Sequence, residues 1–84
     1  MADDPRHEAP GDFVQSVGRA LRILEVVSAG PPLTVKAIAR RSALNLSTTY
    51  HLVRTLAYKG YLTRRSDGTY VAGEAVANLA GPSR

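Results

Sequence analysis

Three short interruptions divide the chain into segments and constrain its fold more than any other feature. "AGPP" (29–32) ends the first segment, "SALN" (42–45) separates the second from the third, and Gly60 ends the third. Glycine favours the C-terminal cap of a helix, and proline cannot supply a helical amide. The segments between these breaks are therefore expected to be short helices. The 84 residues leave room for one small domain with one core.

The first segment has the periodicity of a helix over residues 16–28. Apolar residues recur at the i, i+3, i+4 spacing and predict an inward face of Val17, Ala20, Leu21, Leu24 and Val27. Ile23 and Val26 widen the apolar surface beyond one stripe. We therefore expect this helix to contact a second surface, such as another subunit.

Two shorter helices follow. Thr34 is a suitable N-cap for a helix over residues 35–42, and Asn45 for one over 46–59. Helical spacing divides the third helix into two sides. The predicted core side is Thr49, Leu52, Val53 and Leu56, and the opposite side is Ser47, Tyr50, His51, Arg54 and Tyr58. Solvated helix faces usually carry Glu, Lys and Gln, so these weaker helix formers indicate selection for something other than helix stability.

The sequence after Gly60 predicts a β-hairpin. Residues 61–65 and 69–72 are rich in β-formers, and Asp67-Gly68 between them is a strong turn sequence. Leu62 and Val71 are the predicted inward residues of the hairpin. A last short helical stretch is expected over residues 74–80.

Charge is unevenly distributed along the chain. Residues 1–12 hold four acidic residues and one arginine, whereas no acidic residue occurs between Glu25 and Asp67. Seven cations fall in that interval: Lys36, Arg40, Arg41, Arg54, Lys59, Arg64 and Arg65. A field of one sign over about 40 residues suits a polyanionic partner, although solvated faces are also basic by chance.

Two helices joined by a tight turn, followed by a basic-tipped hairpin, predict an α+β, mainly helical fold, the winged helix-turn-helix. In such folds the N-terminal part of the second helix of the pair contacts base edges in the DNA major groove. The predicted DNA-binding residues are Lys36, Arg40, Arg41, Ser47, Thr48, Thr49, Tyr50, His51, Arg54, Arg64 and Arg65. For Thr48 and Thr49 the alternative is packing or local hydrogen bonding, and for Arg41 it is a solvated charge.

Catalysis, metal binding and cofactor binding have little support in the composition. The chain has no cysteine and only two histidines, and no nucleophile–base pair or Gly-rich phosphate loop can be identified. We therefore expect no catalytic residue, no metal and no cofactor. The longest apolar run is far short of the roughly 20 residues that cross a bilayer. With an acidic start unlike a signal peptide, this predicts a cytoplasmic protein.

Residues 14–80 resemble the N-terminal DNA-binding domain of IclR-type (isocitrate lyase regulator) transcription factors. The matching pieces are "SVGRALRILE", "LTVKAIARRSAL", "STTYHLVRTL", "KGYL" and "DGTYVAG", and their order and spacing carry the resemblance. It implies a recognition helix over residues 46–58 in the major groove and a two- or three-stranded β wing over 62–72 on the backbone or minor groove. It also implies a bacterial regulator, here taken as a repressor, that is nucleoid-associated when bound to DNA.

The resemblance also implies partners and a division of the chain. Family members bind palindromic operators as dimers, here through the first helix and linker region or through a missing C-terminal domain. That absent domain would hold any small-molecule effector. We expect a disordered acidic tail (1–12), the DNA-binding domain (13–73), and the start of a linker helix with a C-terminal tail (74–84). The 84 residues are then expected to be an isolated domain cut from a longer regulator.

Three residues depart from the family pattern. Ala43 stands where the family often has Gly, so the turn is expected to be less left-handed or slightly strained. Asn45 stands where Pro is common, and remains an adequate cap. His51 stands where Arg is usual, which makes its contact weaker and dependent on pH near about 6.5.

Two alternatives remain for the function of the domain. Some small-molecule O-methyltransferases begin with a winged helix used only for dimerisation, and other winged helices bind protein instead of DNA. The broad apolar first helix fits the dimerisation module moderately. The unbroken basic interval does not fit it.

Overall fold

Helices and one β-hairpin form the fold, which a computed structural model describes for residues 9–81. The elements are α1 (Gln15–Ser28), α2 (Val35–Ser42), α3 (Leu46–Tyr58), β1 (Leu62–Arg64), β2 (Tyr70–Ala72) and α4 (Glu74–Leu79). The prediction of a mainly helical winged helix-turn-helix is confirmed. Residues 1–8 and 82–84, which include most of the predicted tails, lie outside the described residues. Among residues 9–81, no helix has the length and apolar character needed to cross a membrane.

The predicted caps determine where α2 and α3 begin. The Thr34 hydroxyl accepts a hydrogen bond from the Ala37 amide at 3.2 Å, and the Asn45 side chain accepts one from the Thr48 amide at 2.8 Å. These bonds satisfy amides that have no partner inside the helix. At the other end of α3, Gly60 has a φ of +86° and stops the helix as predicted. The observed helix ends differ from the expected ones by one residue at most.

The turn between α2 and α3 is left-handed at Ala43. Its φ of 58° and ψ of 41° place a residue with a Cβ in a region that glycine occupies without strain. The amides of Ala43 and Leu44 donate to the carbonyls of Arg40 and Ala39, which closes the end of α2. Of the two expectations for this turn, the less left-handed one is wrong, because these carbonyl bonds require the left-handed conformation.

The core lies where α1, α2, α3 and the hairpin meet. Its buried members are Ile23, Val27, Leu33, Ile38, Val53, Leu62 and Tyr70. The predicted inward face of α1 is partly wrong: Val17 and Leu21 are more than half exposed, whereas Ile23 is completely buried. The helix is therefore rotated so that Ile23 and Val27 face α2 and α3, and the Val17–Leu21 stripe faces solvent.

The hairpin packs against the core through Leu62 and Tyr70. Antiparallel pairing places Leu62 opposite Ala72 and Arg64 opposite Tyr70, so Val71 points to the other face. Tyr70, not the predicted Val71, is the buried residue of β2. Leu33 exchanges two backbone hydrogen bonds with Tyr70, at 2.7 and 3.2 Å, and adds a single-residue bridge to the two-stranded sheet.

Replacing Ala43 with glycine is expected to stabilise the domain by about 1 kcal/mol, since it removes the Cβ strain of a left-handed residue. Urea unfolding followed by circular dichroism measures the change. Ala29→Gly is the matched control, because Ala29 is exposed and right-handed with a φ of −87°. At that position glycine relieves no strain and only increases the conformational freedom of the unfolded chain, so the free energy of unfolding should fall. Equal effects of the two substitutions would contradict the strain at Ala43.

Candidate nucleic-acid interface

Helix α3 has one side in the core and one side in water. Thr49 and Val53 are completely buried, and Leu52, Leu56 and Ala57 pack against the core. The opposite side, here called the polar face, is exposed along the whole helix and consists of Ser47, Tyr50, His51, Arg54, Thr55 and Tyr58. The division into two sides predicted from helical spacing is confirmed. This packing holds the polar face outward as one rigid surface.

Thr49 is a correction to the predicted DNA-binding set. Its side chain has no solvent-exposed area, and its hydroxyl donates to the Asn45 carbonyl at 2.8 Å. A side chain without exposure cannot contact a base edge, so its alternative role, packing with a local hydrogen bond, is the one observed. Thr48 is half-buried beside the cap, whereas Ser47, Tyr50, His51 and Arg54 are exposed.

An open groove runs along the polar face from His51 to Tyr58. Its walls are His51, Arg54, Thr55 and Tyr58, which lie on successive turns of α3. The Thr55 hydroxyl donates to the His51 carbonyl at 3.1 Å and is therefore committed to the helix backbone. Thr55 and Tyr58 were not in the predicted set, although helical spacing already placed Tyr58 on this side.

Exposed cations lie on the two elements beside α3. Lys36, Arg40 and Arg41 are exposed on α2, and Arg64 and Arg65 are exposed at the end of β1. Arg64 is the last residue of β1, and Arg65 follows it directly at the start of the turn. A Cβ built on Gly68 would lie 3.6 Å from the Arg64 guanidinium, so that side chain extends towards the tip.

The hairpin tip is organised by Asp67. Its carboxylate accepts hydrogen bonds from the Thr69 hydroxyl at 2.6 Å and the Thr69 amide at 3.0 Å. These bonds lower the pKa of Asp67 below its usual value, and the nearby Arg65 charge acts in the same direction. Asp67 therefore stays ionised at neutral pH and holds the turn that carries the wing arginines.

A separate apolar surface lies on α1. Phe13, Val14, Val17 and Leu21 are each more than half exposed, and with Pro10, Asp12 and Gly18 they line a shallow hollow. Contiguous apolar surface of this kind marks contact sites more often than free surface. It lies on a different helix from the polar face. Within residues 9–81, no group of three or more potential metal ligands comes together.

A helix-turn-helix with an outward polar face, flanked by cations and followed by a hairpin, defines a winged helix-turn-helix DNA-binding domain. Residues 16–66 match the IclR helix-turn-helix domain, and the chain belongs to this family. It is therefore the DNA-binding domain of a transcription regulator. No match was found among curated protein sequences.

Solved structures of IclR proteins have the same fold. An IclR homologue of Microbacterium hydrocarbonoxydans, complexed with 4-hydroxybenzoate, is 31% identical with a TM-score of 0.71 over 76% of this chain and 27% of its own. An IclR family transcriptional regulator of Brucella abortus is 25% identical, with a TM-score of 0.77 over 94% and 30%. The Agobacterium tumefaciens repressor BlcR is 29% identical, with a TM-score of 0.73 over 80% and 27%.

The chain thus spans less than a third of each of these regulators. The matches concern the DNA-binding part and carry no information on the rest. They do not favour the O-methyltransferase dimerisation module or the protein-binding winged helix.

Thr49→Val tests whether Thr49 is buried in the domain and makes no contact with DNA. Valine keeps the buried shape and replaces the hydroxyl with a methyl group, so the free energy of unfolding should change by no more than about 1 kcal/mol. The preferred DNA sequence should not change, because the side chain is inside the domain. Selection of duplexes from a random pool with both proteins measures this. A new preferred base in the Thr49→Val selection would contradict the burial of Thr49.

Proposed function

We propose that this domain binds palindromic operators as a homodimer and belongs to a longer bacterial regulator that acts as a repressor. Helix α3 lies in the major groove, and the wing, residues 62–72, lies on the backbone or in the adjacent minor groove. The observation that carries the proposal is the polar face of α3, which is exposed over its whole length while cations occupy both neighbouring elements. The repressor role is supported by the name of the Agobacterium relative.

The contacts divide into two kinds. Ser47, Tyr50 and His51 lie in the first half of the polar face and contact base edges, with Thr48 at its margin. Short side chains such as Ser47 let the helix approach the groove floor closely. Lys36, Arg40 and Arg41 on α2, Arg54 on α3, and Arg64 and Arg65 on the wing contact phosphates or the minor groove. The first kind determines sequence preference, and the second determines affinity for all sequences.

The exposed apolar surface of α1 joins the two copies, together with the linker region that α4 begins or a C-terminal domain outside this chain. Phe13, Val14, Val17 and Leu21 leave water on association, which supplies a hydrophobic driving force. The domain extends over residues 13–73, with the linker helix and C-terminal tail at 74–84 and an acidic tail at 1–12. A twofold dimer requires a palindromic operator.

The remaining parts of the proposal concern the longer protein. A small-molecule effector binds a domain outside this chain, which is consistent with the 4-hydroxybenzoate complex of the Microbacterium relative. The protein is cytoplasmic, is nucleoid-associated when bound to DNA, and has no catalytic role. Regulation then follows from coupling between effector binding and operator affinity.

Salt dependence of DNA binding tests the proposal. Duplexes are selected from a random pool, and the affinity for the best one is measured between about 50 and 200 mM salt by fluorescence anisotropy. Affinity should fall steeply, because each neutralised phosphate releases counterions. Arg65→Ala should weaken binding to every duplex and lower the slope by about 1.

Arg22→Ala is the matched control, since Arg22 is an exposed arginine on α1, a helix that carries none of the proposed DNA contacts. It removes the same charge and should leave the slope unchanged. Palindromes among the selected duplexes are expected from the dimer. If the wild-type domain binds no duplex even at 50 mM salt, the proposed function is wrong.

A further inference from the structure

Tyr58 is the most exposed large side chain with hydrophobic character among the described residues. It is 87% exposed and occupies the last position of α3, on the polar face. An aromatic ring in water forgoes the stabilisation that burial would supply. Its position therefore calls for an explanation other than packing within this domain.

The groove around Tyr58 is lined by hydrogen-bond donors. Because the Thr55 hydroxyl donates to the His51 carbonyl, the groups left to face a ligand are the His51 ring, the Arg54 guanidinium and the Tyr58 hydroxyl. Arg54 carries a fixed positive charge, and no carboxylate occurs from residue 26 to residue 66. An anionic oxygen is the ligand that fits such a groove best.

The length of α3 decides which part of the DNA this groove meets. Ser47 and Tyr58 are eleven residues apart on the helix, which corresponds to about 16 Å along its axis. The major groove is about 12 Å wide and curves around the duplex, whereas the helix is straight. With Ser47 and its neighbours at the base edges, Tyr58 lies beyond the groove floor, at the height of the sugar–phosphate backbone.

We propose that the end of this groove formed by Arg54 and Tyr58 is a subsite for one backbone phosphate, in which the Tyr58 hydroxyl donates a hydrogen bond to a phosphate oxygen, while His51 at the other end keeps its base contact. The inference rests on the proposed function and deepens it, because it adds Tyr58 to the contact residues. Arg54 supplies the charge at this subsite, and Tyr58 supplies a neutral, directional donor. Together, Arg54 and Tyr58 determine the position of α3 along the major groove.

Two features favour a phosphate over a base edge or an acidic protein segment. A base edge at this position would need α3 to follow the curvature of the groove over its whole length, which a straight helix cannot do. An acidic protein segment would leave the first half of the polar face without a partner, although it is continuous with the groove. Both alternatives are outcomes of the experiment below.

Tyr58→Phe is the central variant, because it removes the hydroxyl and keeps the ring. Binding to duplexes from the random-pool selection should weaken about fivefold for every sequence, as expected for a hydrogen bond to a charged group. The salt slope should stay unchanged, since no charge is lost. Arg54→Ala should lower that slope by about 1. Tyr61→Phe, which removes a phenol hydroxyl outside the polar face, is the matched control and should bind like the wild type.

A scan of the DNA backbone identifies the partner of Tyr58. Single phosphates of the duplex are replaced by neutral methylphosphonates, and each duplex is bound by the wild type and by Tyr58→Phe. One position per half-site should weaken wild-type binding and abolish the difference between the two proteins. Such a non-additive pair is the signature of a direct contact. Unfolding of both proteins in urea confirms that the exposed substitution leaves the fold intact.

The possible failures are distinct. If the wild type and Arg54→Ala behave as expected but Tyr58→Phe binds like the wild type, the subsite is wrong and the proposed function stands. If Tyr58→Phe changes the preferred base, Tyr58 contacts a base and the phosphate assignment is overturned. Undiminished DNA binding by Tyr58→Phe together with lost affinity for an acidic peptide would assign the groove to protein. If the wild type binds no duplex, both proposals fail.

Discussion

The turn between α2 and α3 is the constraint on which the rest of the structure depends. Within three residues, Ala43 to Asn45, it must end one helix and begin the next at a fixed angle. Ala43 ends α2 by adopting a left-handed conformation, in which its amide and that of Leu44 donate hydrogen bonds to carbonyls of α2. Asn45 begins α3 by accepting a hydrogen bond from the Thr48 amide. All contacts of α3 with the core, and the direction of its polar face, follow from this geometry.

Helix α3 has one side in the core and, in the proposed function, the other side on the DNA. Helix α3 packs against α1, α2 and β1, and its Thr49 and Val53 have no exposed area, which leaves little freedom for rotation about its axis. A helix that rotated would present a different set of side chains to the groove. Rigid packing on one side is thus the physical source of sequence preference on the other. The hairpin is held to the same core through Leu62 and Tyr70, so the wing arginines keep a defined position.

The helix ends, the hairpin turn and the two sides of α3 were predictable from the sequence because the patterns that determine them are local. Caps such as Thr34 and Asn45 act on amides three residues away, and the Asp67-Gly68 turn acts within one hairpin. The two sides of α3 also followed from spacing, because its hydrophobic residues lie on one side only. The wrong predictions concern which of several apolar residues is buried. On α1 apolar residues surround much of the helix, so periodicity could not distinguish Ile23, which is buried, from Val17 and Leu21, which are exposed.

The order of the elements, the ends of the helices and the basic interval around α3 could all be read from the residues in order, since each depends on neighbouring residues or on charge alone. Tertiary structure decided which of two apolar stripes of α1 enters the core and which residue of β2 faces inward. It also withdrew Thr49 from the DNA contacts and left Tyr58 in solvent at the end of the polar face. Burial depends on residues distant in sequence, and only the packed fold brings those together.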